Sequence, residues 1–562
     1  MKAILSNSEV KVYSTYDMRE RLKSVPGSKW NPSSKTWDFP PGAVPELVQS
    51  FPDITLDTDV NKIYHRELWK QREKNKILSG ARELPEHPFL YKHQRIVRAL
   101  STVFDRFGFF ADTGTGKTNM GLQIITDNLP RKALVLTPKP IIKTGWMEDQ
   151  AQFFPDLRLL PLSRNMLKSH YAELAERWGM DLPPRLSKDG IFGMLVHQAQ
   201  AYVTNYEAFK ADYEFICTLG CRMLLLDESA KLRNGPRKNK TVKAVINFAD
   251  EMDKVYLMSG KPAPRSEEDY FYQAYLINPL MLGRTVTAFR NKYFYPDGYG
   301  GYTWKPFKET PKEIGNRLMH QCLFIRKEDC LDLPDKTYEV RSVELSAPVM
   351  KHYRQMEKVY MTMIDESNEL VTTPGKVQAI MKLRQITGGF LIDEDSKVHH
   401  LHDEKLYALE ETLEELGDHR AIIWVQFKHE VRAIMEMIQR TQPDVPVSTA
   451  YSGTKDIDQS ISDFKHGRTK YMIAHPKSLM YGATFVQDCS YALYYSLSYD
   501  YEEYYQSHDR IYRNGQTKKC TFLFFVAEGT IDEVIRETVL STKQARSVAI
   551  EDIIDYRKRV SK

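Results

Sequence analysis

Apolar positions fall into short runs with a regular rhythm from about residue 90 onward. RFGFFAD (106–112), KALVLTP (132–138), AYVTNYE (201–207), RMLLLDE (222–228) and KVYLMSG (254–260) are nearly continuous in aliphatic or aromatic side chains, and each ends on small or polar residues. A strand covered on both faces needs no polar alternation, so these runs predict interior strands of a parallel sheet with function gathered at their C-terminal ends. Amphipathic stretches between them predict the crossover helices. A second series repeats the pattern: RAIIWVQF (420–427), PVSTAYS (446–452), KYMIAHP (470–476), YALYYSL (491–497) and CTFLFFVA (520–527).

The remaining segments read differently. The first fifty or so residues predict short strands and turns around VPGSKWNPSSKTWDFPPG (25–42), and the charged stretch 61–88 predicts a helical linker. Between the two strand series lies an aromatic-rich section, including VTAFRNKYFYPDGYGGYTW (286–304) and KVQAIMKLRQITGGFL (376–391), that reads as mostly helical. The expected fold class is α/β: two parallel-sheet lobes with helical insertions and a small N-terminal α+β module. The boundaries are 1–55 for the module, 56–85 for the linker, 86–280 for the first lobe, 281–400 for the helical insertion, 401–545 for the second lobe and 546–562 for a tail.

At 562 residues the chain is too long for a single core. With 42% hydrophobic and 27% charged residues it has a globular composition, and a net charge of +5 on this length is compatible with a polyanion partner without requiring one. Cys217, Cys221, Cys322, Cys330, Cys489 and Cys520 include no second close pair that would complete a zinc site around CTLGC, so reduced thiols are expected. No run is apolar and long enough to span a bilayer, and MKAILSNSEV lacks the apolar core of a signal peptide, which predicts a cytoplasmic protein without membrane partners.

The first chemical signal is ADTGTGKT (111–118), a glycine-rich turn between a predicted strand and a predicted helix. Gly114 and Gly116, with Thr113 and Thr115, allow backbone N–H groups to close on phosphate oxygens at the positive end of the following helix. Lys117 would reach the β/γ-phosphates and Thr118 would ligate Mg²⁺, so the expected cofactors are ATP and Mg²⁺. Ala111 stands where the common pattern has its first glycine. At the end of RMLLLDE, Asp227 is placed to hold the Mg²⁺ and Glu228 to orient and deprotonate the attacking water. Upstream, the amide of Gln94 can donate to and accept from an adenine edge, with a solvated glutamine as the competing reading.

QSHDRIYRNGQ (506–516) places Gln506, Arg510 and Arg513 on one face if the run is helical, with Gly515 ending the helix. Taken with YKHQ, LVLTPKPIIKTGWMEDQ, VTNYE, LLLDESAKLRN, LMSGKPAPRSEEDYFYQAYLINP, FIRKEDCLDLPDK, LRQITGGFL and IIWVQF, in that order, the chain resembles the Swi/Snf-type branch of the superfamily-two helicase-like ATPases over residues 86 to 545. The resemblance implies two RecA-like lobes clamped on nucleic acid, with Arg510 and Arg513 as arginine fingers reaching the ATP site from the other lobe. A guanidinium that arrives only on closure would stabilise transition-state charge selectively.

Three departures stand out: Asp227-Glu228-Ser229-Ala230 lacks the histidine of DEAH-like tetrads, Lys261 replaces a threonine in SGKPAP, and MYGATFVQ (480–487) replaces a Gly-Leu-Asn-Leu element. They bear on coupling and leave the hydrolytic residues in place. An active ATPase is expected.

The same resemblance implies translocation along double-stranded DNA without strand separation. A motor of this kind grips phosphates, which are uniform along the duplex. Lys139, Lys143, Trp146, Lys261 and Arg265 are candidate grips, each with an ordinary surface residue as the alternative reading. Residues 25–42 resemble the HARP (HepA-related protein) module of annealing helicases through Trp30-Asn-Pro and Trp37-x-Phe39-Pro. Trp30, Trp37 and Phe39 could stack on unpaired bases beside Lys23, Lys29 and Lys35, or could form the core of the module. The expectation is therefore an ATP-dependent duplex translocase that remodels forked or branched DNA as a monomer, in a bacterial or virus-infected cytoplasm. A strand-separating DNA or RNA helicase and a nucleotide-gated binding protein without motor activity are the competing readings.

Overall fold

Alternation along the first-lobe strands explains how their sheet is covered. In the computed structural model, Leu134, Leu136, Leu224 and Leu226 belong to one buried cluster, whereas Ala133, Val135, Met223 and Leu225 belong to another. Successive side chains of a strand point to opposite faces, so a run with no polar member must be packed on both. The structure describes residues 1–6, 9–25, 27–163, 167–183, 185–263, 266–297, 303–366, 373–479, 485 and 489–540. The expected tail, Arg265 and, apart from Phe485, the MYGATFVQ segment lie outside them.

The chain divides into two compact units, Met1–Cys330 and Leu331–Lys562. The first begins with β1 (Lys2–Ser6), β2 (Glu9–Tyr13), β3 (Lys29–Asn31), β4 (Thr36–Phe39) and β5 (Thr55–Leu56), which form a sheet in the order β3-β4-β2-β1-β5. Val10 and Val12 of β2 pack with Trp37 and Phe39 of β4 and with Leu22, Val44 and Leu47 of two short helices. Leu280, far along the chain, completes this core. The buried Asp38 carboxylate accepts from Asn31 Nδ2 at 2.8 Å and Thr36 Oγ1 at 2.7 Å. Asp57 caps the helix Thr58–Leu78 through Val60 N and also accepts from Leu5 N at 3.0 Å, tying the helix to β1.

The rest of this unit is built on seven strands: β6 (Arg106–Ala111), β7 (Ala133–Thr137), β8 (Leu159–Pro161), β9 (Ala201–Asn205), β10 (Met223–Leu226), β11 (Lys254–Ser259) and, beyond a hairpin of β12 (Phe294–Asp297) and β13 (Thr303–Pro306), β14 (Cys322–Ile325). The order β14-β6-β11-β10-β7-β9-β8 is parallel throughout. The second unit contributes β15 (Lys336–Val343), a hairpin of β16 (Phe390–Ile392) and β17 (Val398–His400), β18 (Ala421–Trp424), β19 (Val447–Ala450), β20 (Tyr471–Ala474), β21 (Tyr491–Tyr494) and β22 (Cys520–Ala527). Its sheet, β15-β22-β21-β18-β20-β19, is also parallel. Two parallel sheets with helices on both faces are the expected architecture.

The section 281–400 is not one helical insertion. Its strand β14 joins the first sheet beside β6, and β15 joins the second beside β22, so the division falls at residue 330. Both are edge strands, and β15 is largely exposed. β15, KTYEVRSV, carries no continuous apolar run, and β14, CLFI, is only four residues long, which is why periodicity passed over them.

Candidate functional site

The loop after β6 holds the phosphate-binding signature between strand and helix. Gly114 and Gly116 have φ of +83° and +78°, and Gly116 immediately precedes the helix Lys117–Asp127. A Cβ on Gly116 would lie 2.2 Å from Gln94 Nε2, so both the backbone angle and the neighbour demand glycine. The Lys117 ammonium donates to the carbonyls of Ala111 at 2.8 Å and Asp112 at 3.3 Å, across the loop that it would serve. Gly260 lies against the same loop, with the place of its Cβ 3.6 Å from Lys117 Nζ and 3.4 Å from Thr113 Cγ2. A left-handed glycine pair, a helix N-terminus and an ammonium in the loop form a donor set that fits a nucleotide phosphate.

Gln94 is built into the base of the phosphate loop. It is buried, its Nε2 donates to Thr115 O at 3.0 Å, and its Oε1 accepts from Tyr91 N at 2.9 Å. Its Nε2 thus holds the phosphate loop, while its Oε1 caps the N-terminus of its own helix, Lys92–Val103. His93 Nε2 lies 2.9 Å from the same Thr115 carbonyl, and burial pushes the His93 pKa down.

Asp227 follows β10. Its Oδ2 accepts from Thr137 Oγ1 at 2.8 Å and from Trp146 Nε1 at 3.1 Å, while Oδ1 accepts from Glu228 N at 3.0 Å. Three donors fix the orientation of this carboxylate. Tyr206 OH donates to the Asp227 carbonyl at 2.8 Å, and burial together with the carboxylates of Asp227, Glu228 and Glu207 raises the Tyr206 pKa. Glu228 sits at φ +50°, an uncommon angle for a side chain with Cβ and one that clusters at functional sites. Its Oε2 accepts from Ser259 Oγ, at the end of β11, at 3.1 Å.

The expected nucleic-acid contacts separate into two groups. Lys139 and Lys143 are exposed on the segment after β7, and Lys261 is half-buried. Trp146 is 0% exposed and spends its only polar group on Asp227, so the expectation that it grips DNA is corrected: it positions an acid. Trp37, at 7% exposure, and Phe39 are core residues of the N-terminal module and do not present a stacking face. Trp30 is 47% exposed, 5.5 Å from Trp37 between ring centroids, and Tyr13 and Tyr16 of the same module are exposed as well.

In the second unit the helix Tyr501–His508 ends earlier than the spacing suggested. Gln506 is helical, whereas Arg510 and Arg513 lie in the turns that follow, so the three do not form a single helical stripe. Arg510 is 6% exposed and its Nε donates back to Gln506 O at 3.1 Å; Arg513 is half-buried. Gln516 fastens these turns through Nε2 to Ile511 O at 2.9 Å and to Cys489 O at 3.1 Å.

Sequence reasoning missed Thr137, Ser259, Tyr206, His93 and the pair Ser229–Gln273. Ser229 Oγ donates to Gln273 Oε1 at 2.7 Å, and Gln273 Nε2 donates to Pro262 O at 2.5 Å and Asp269 O at 3.1 Å. A lone glutamine within the apolar helix FYQAYLI was the available signal.

Residues 57–388 match the SNF2-related domain, and residues 404–515 match the helicase conserved C-terminal domain. The chain is 24% identical over 345 residues to the putative protein p41 of Acyrthosiphon pisum secondary endosymbiont phage 1, covering 58% of this chain and 72% of that protein. It is 26% identical over 230 residues to the DNA repair and recombination protein RAD54-like of Drosophila ananassae, covering 40% of this chain and 27% of that protein. It is 22% identical over 528 residues to the putative ATP-dependent helicase/translocase YwqA of Bacillus subtilis (strain 168), covering 87% and 52%. Among solved structures, the Sulfolobus solfataricus SWI2/SNF2 ATPase core in complex with dsDNA aligns at 18% identity and TM-score 0.37, covering 85% of this chain and 97% of that one. The Pyrococcus furiosus Hef helicase domain aligns at 12% identity and TM-score 0.46, covering 79% and 97%. With the SNF2-related match alone spanning more than half of its length, the chain belongs to the SNF2-related family of helicase-like, DNA-dependent ATPases.

Proposed function

We propose that the chain is an ATP-driven motor that moves along double-stranded DNA and remodels branched substrates by re-annealing or branch migration. The observation that carries the hydrolytic part is the Glu228 carboxylate. It is held by Ser259 Oγ on a loop whose next residue, Gly260, packs against Thr113 and Lys117. A base placed beside the phosphate loop takes the proton from a water attacking the γ-phosphoryl group.

In this reading Gly114, Thr115 and Gly116 offer backbone N–H groups to the phosphates, and Lys117 transfers its ammonium from its own loop carbonyls to the β/γ-oxygens. Thr118 and Asp227 would hold Mg²⁺, which when bound neutralises charge on the phosphate oxygens. Gln506, Arg510 and Arg513 of the second unit would meet the triphosphate when the units close, which makes hydrolysis depend on their relative position. The names of the Drosophila and Bacillus relatives support a recombination or translocase role. The N-terminal module, with Trp30 exposed beside Lys29 and Lys35, would recognise the branch.

The test is the ATPase rate of the full chain on linear duplex, forked and four-way DNA, single strands and RNA. Stimulation by duplex DNA and most strongly by branched DNA is expected, with no turnover in Lys117→Ala. Stimulation by RNA alone, or turnover that persists in Lys117→Ala, would remove the proposal.

A further inference from the structure

One turn beyond the catalytic acids the surface opens into a groove of about 920 Å³. Its walls come from residues 233–247, from 266–275 and from 284–290, and they carry six cations: Arg233, Arg237, Lys238, Lys243, Arg284 and Arg290. Two acids share the groove. Glu268 is paired with Arg290, whose guanidinium also lies 5.6 Å from the Trp304 ring centroid, and Asp269 is buried at the foot of the wall. Arg237, Lys238 and Lys243 are exposed. A concave surface with this balance raises the local concentration of anions, and its volume is far larger than one phosphate requires.

The groove is also built onto the catalytic loop. The turn Ser229–Asn234 runs directly from Glu228 to Arg233. Gly235, at φ +66°, lies against Tyr272, since a Cβ on it would come 2.4 Å from that ring, so the basic segment 233–238 starts in close contact with the opposite wall. The neighbour of Tyr272 is Gln273, which receives the Ser229 hydroxyl. Both walls are therefore connected to the residue that follows Glu228.

We propose that this groove seats the phosphodiester backbone of duplex DNA and that its occupancy bears on the loop carrying Glu228. The assignment rests on the DNA-motor reading and adds to it a binding face distinct from Lys139, Lys143 and Lys261. Each backbone contact made by a Lys or Arg displaces about one condensed counterion, so the face has a measurable signature.

The experiment uses the full chain with Arg237→Ala, Lys238→Ala and Lys243→Ala combined, three exposed positions whose truncation spares the core. Binding of a short mixed-sequence duplex is followed by fluorescence anisotropy across a salt series, and ATPase rate is measured with and without that duplex. The slope of log affinity against log salt is expected to fall by about 2 to 3, with affinity down at least about tenfold at physiological salt. The duplex concentration for half-maximal ATPase should rise by the same factor, while the rate without DNA stays unchanged. A wild type that responds to duplex, with a variant of identical slope and half-maximal concentration, would overturn the groove and leave the motor reading standing. A wild type that neither binds nor responds to DNA would overturn both. As a guard against misfolding, Arg237→Lys with Lys238→Arg and Lys243→Arg keeps the charge and is expected to restore the wild-type slope; failure to restore it counts against the proposal.

Discussion

Ser229 Oγ and Gln273 Oε1 lie 2.7 Å apart, both fully buried, and their hydrogen bond joins the loop of Asp227 and Glu228 to the helix that follows β11. Through Gln273 Nε2 the connection continues to the carbonyl of Pro262, within SGKPAP. A tetrad lacking the usual histidine is thus still tied to the neighbouring motif, by a serine and a glutamine. Ser229→Ala leaves a buried amide oxygen without this donor and should cost about 1–3 kcal/mol. Gln273→Leu should cost more than Ser229→Ala, because it also takes the donor from the carbonyls of Pro262 and Asp269, as read by chemical denaturation.

Trp146 supplies a second check, because its indole donates to Asp227 rather than to solvent. Trp146→Phe keeps the bulk in the core and removes the donor. ATP turnover should fall about tenfold, the equivalent of one hydrogen bond to a charged group, with duplex affinity unchanged. Loss of affinity with turnover intact would return Trp146 to the DNA face.

Within the N-terminal module, Trp37 and Trp30 should behave oppositely. Trp37→Ala opens a cavity under Val10, Val12 and Phe39 and should destabilise the module by about 3–5 kcal/mol. Trp30→Ala should cost about 1 kcal/mol, the scale of one aromatic pair. If the module reads branched DNA, Trp30→Ala should flatten the preference for forks over linear duplex while leaving the melting temperature near its original value.

Lys74 provides a prediction in pH. Its ammonium donates to the carbonyls of Met319 and Cys322, and burial brings its pKa down to about 8. The folded state therefore binds fewer protons than the unfolded state between about pH 8 and the ordinary lysine value of 10.5, so this group's contribution to stability rises with pH across that window. Relative to Lys74→Met, the wild type should gain up to about 3 kcal/mol between those limits, measured by denaturation at each pH.

Much of the site was legible in the residue order. The phosphate loop, the acid pair at a strand end and the two strand series were read from glycines, charges and apolar runs, because backbone angle, helix polarity and two-faced burial act locally. The run holding Arg510 and Arg513 was drawn as helix as far as Gly515, nearly two turns past its end at His508, since a periodic spacing persists on paper after the backbone has turned. Trp146 was misassigned and Trp37 was left open between stacking and core for one reason: an indole is large enough to serve a core or a surface, and Trp37 and Trp146 are distinguished from Trp30 only by what packs over them.

By itself, then, the sequence determined that this chain has two parallel-sheet lobes, a phosphate loop at the end of β6 and a carboxylate pair at the end of β10. Each of these follows from interactions among residues close in the chain. Only the tertiary structure decided that β14 and β15 belong to different sheets, that Gln94 holds the phosphate loop, that Ser259 bonds to Glu228 and that Ser229 bonds to Gln273. Those are pairings between residues distant in sequence, fixed by which strands lie side by side, and local propensity carries no record of them.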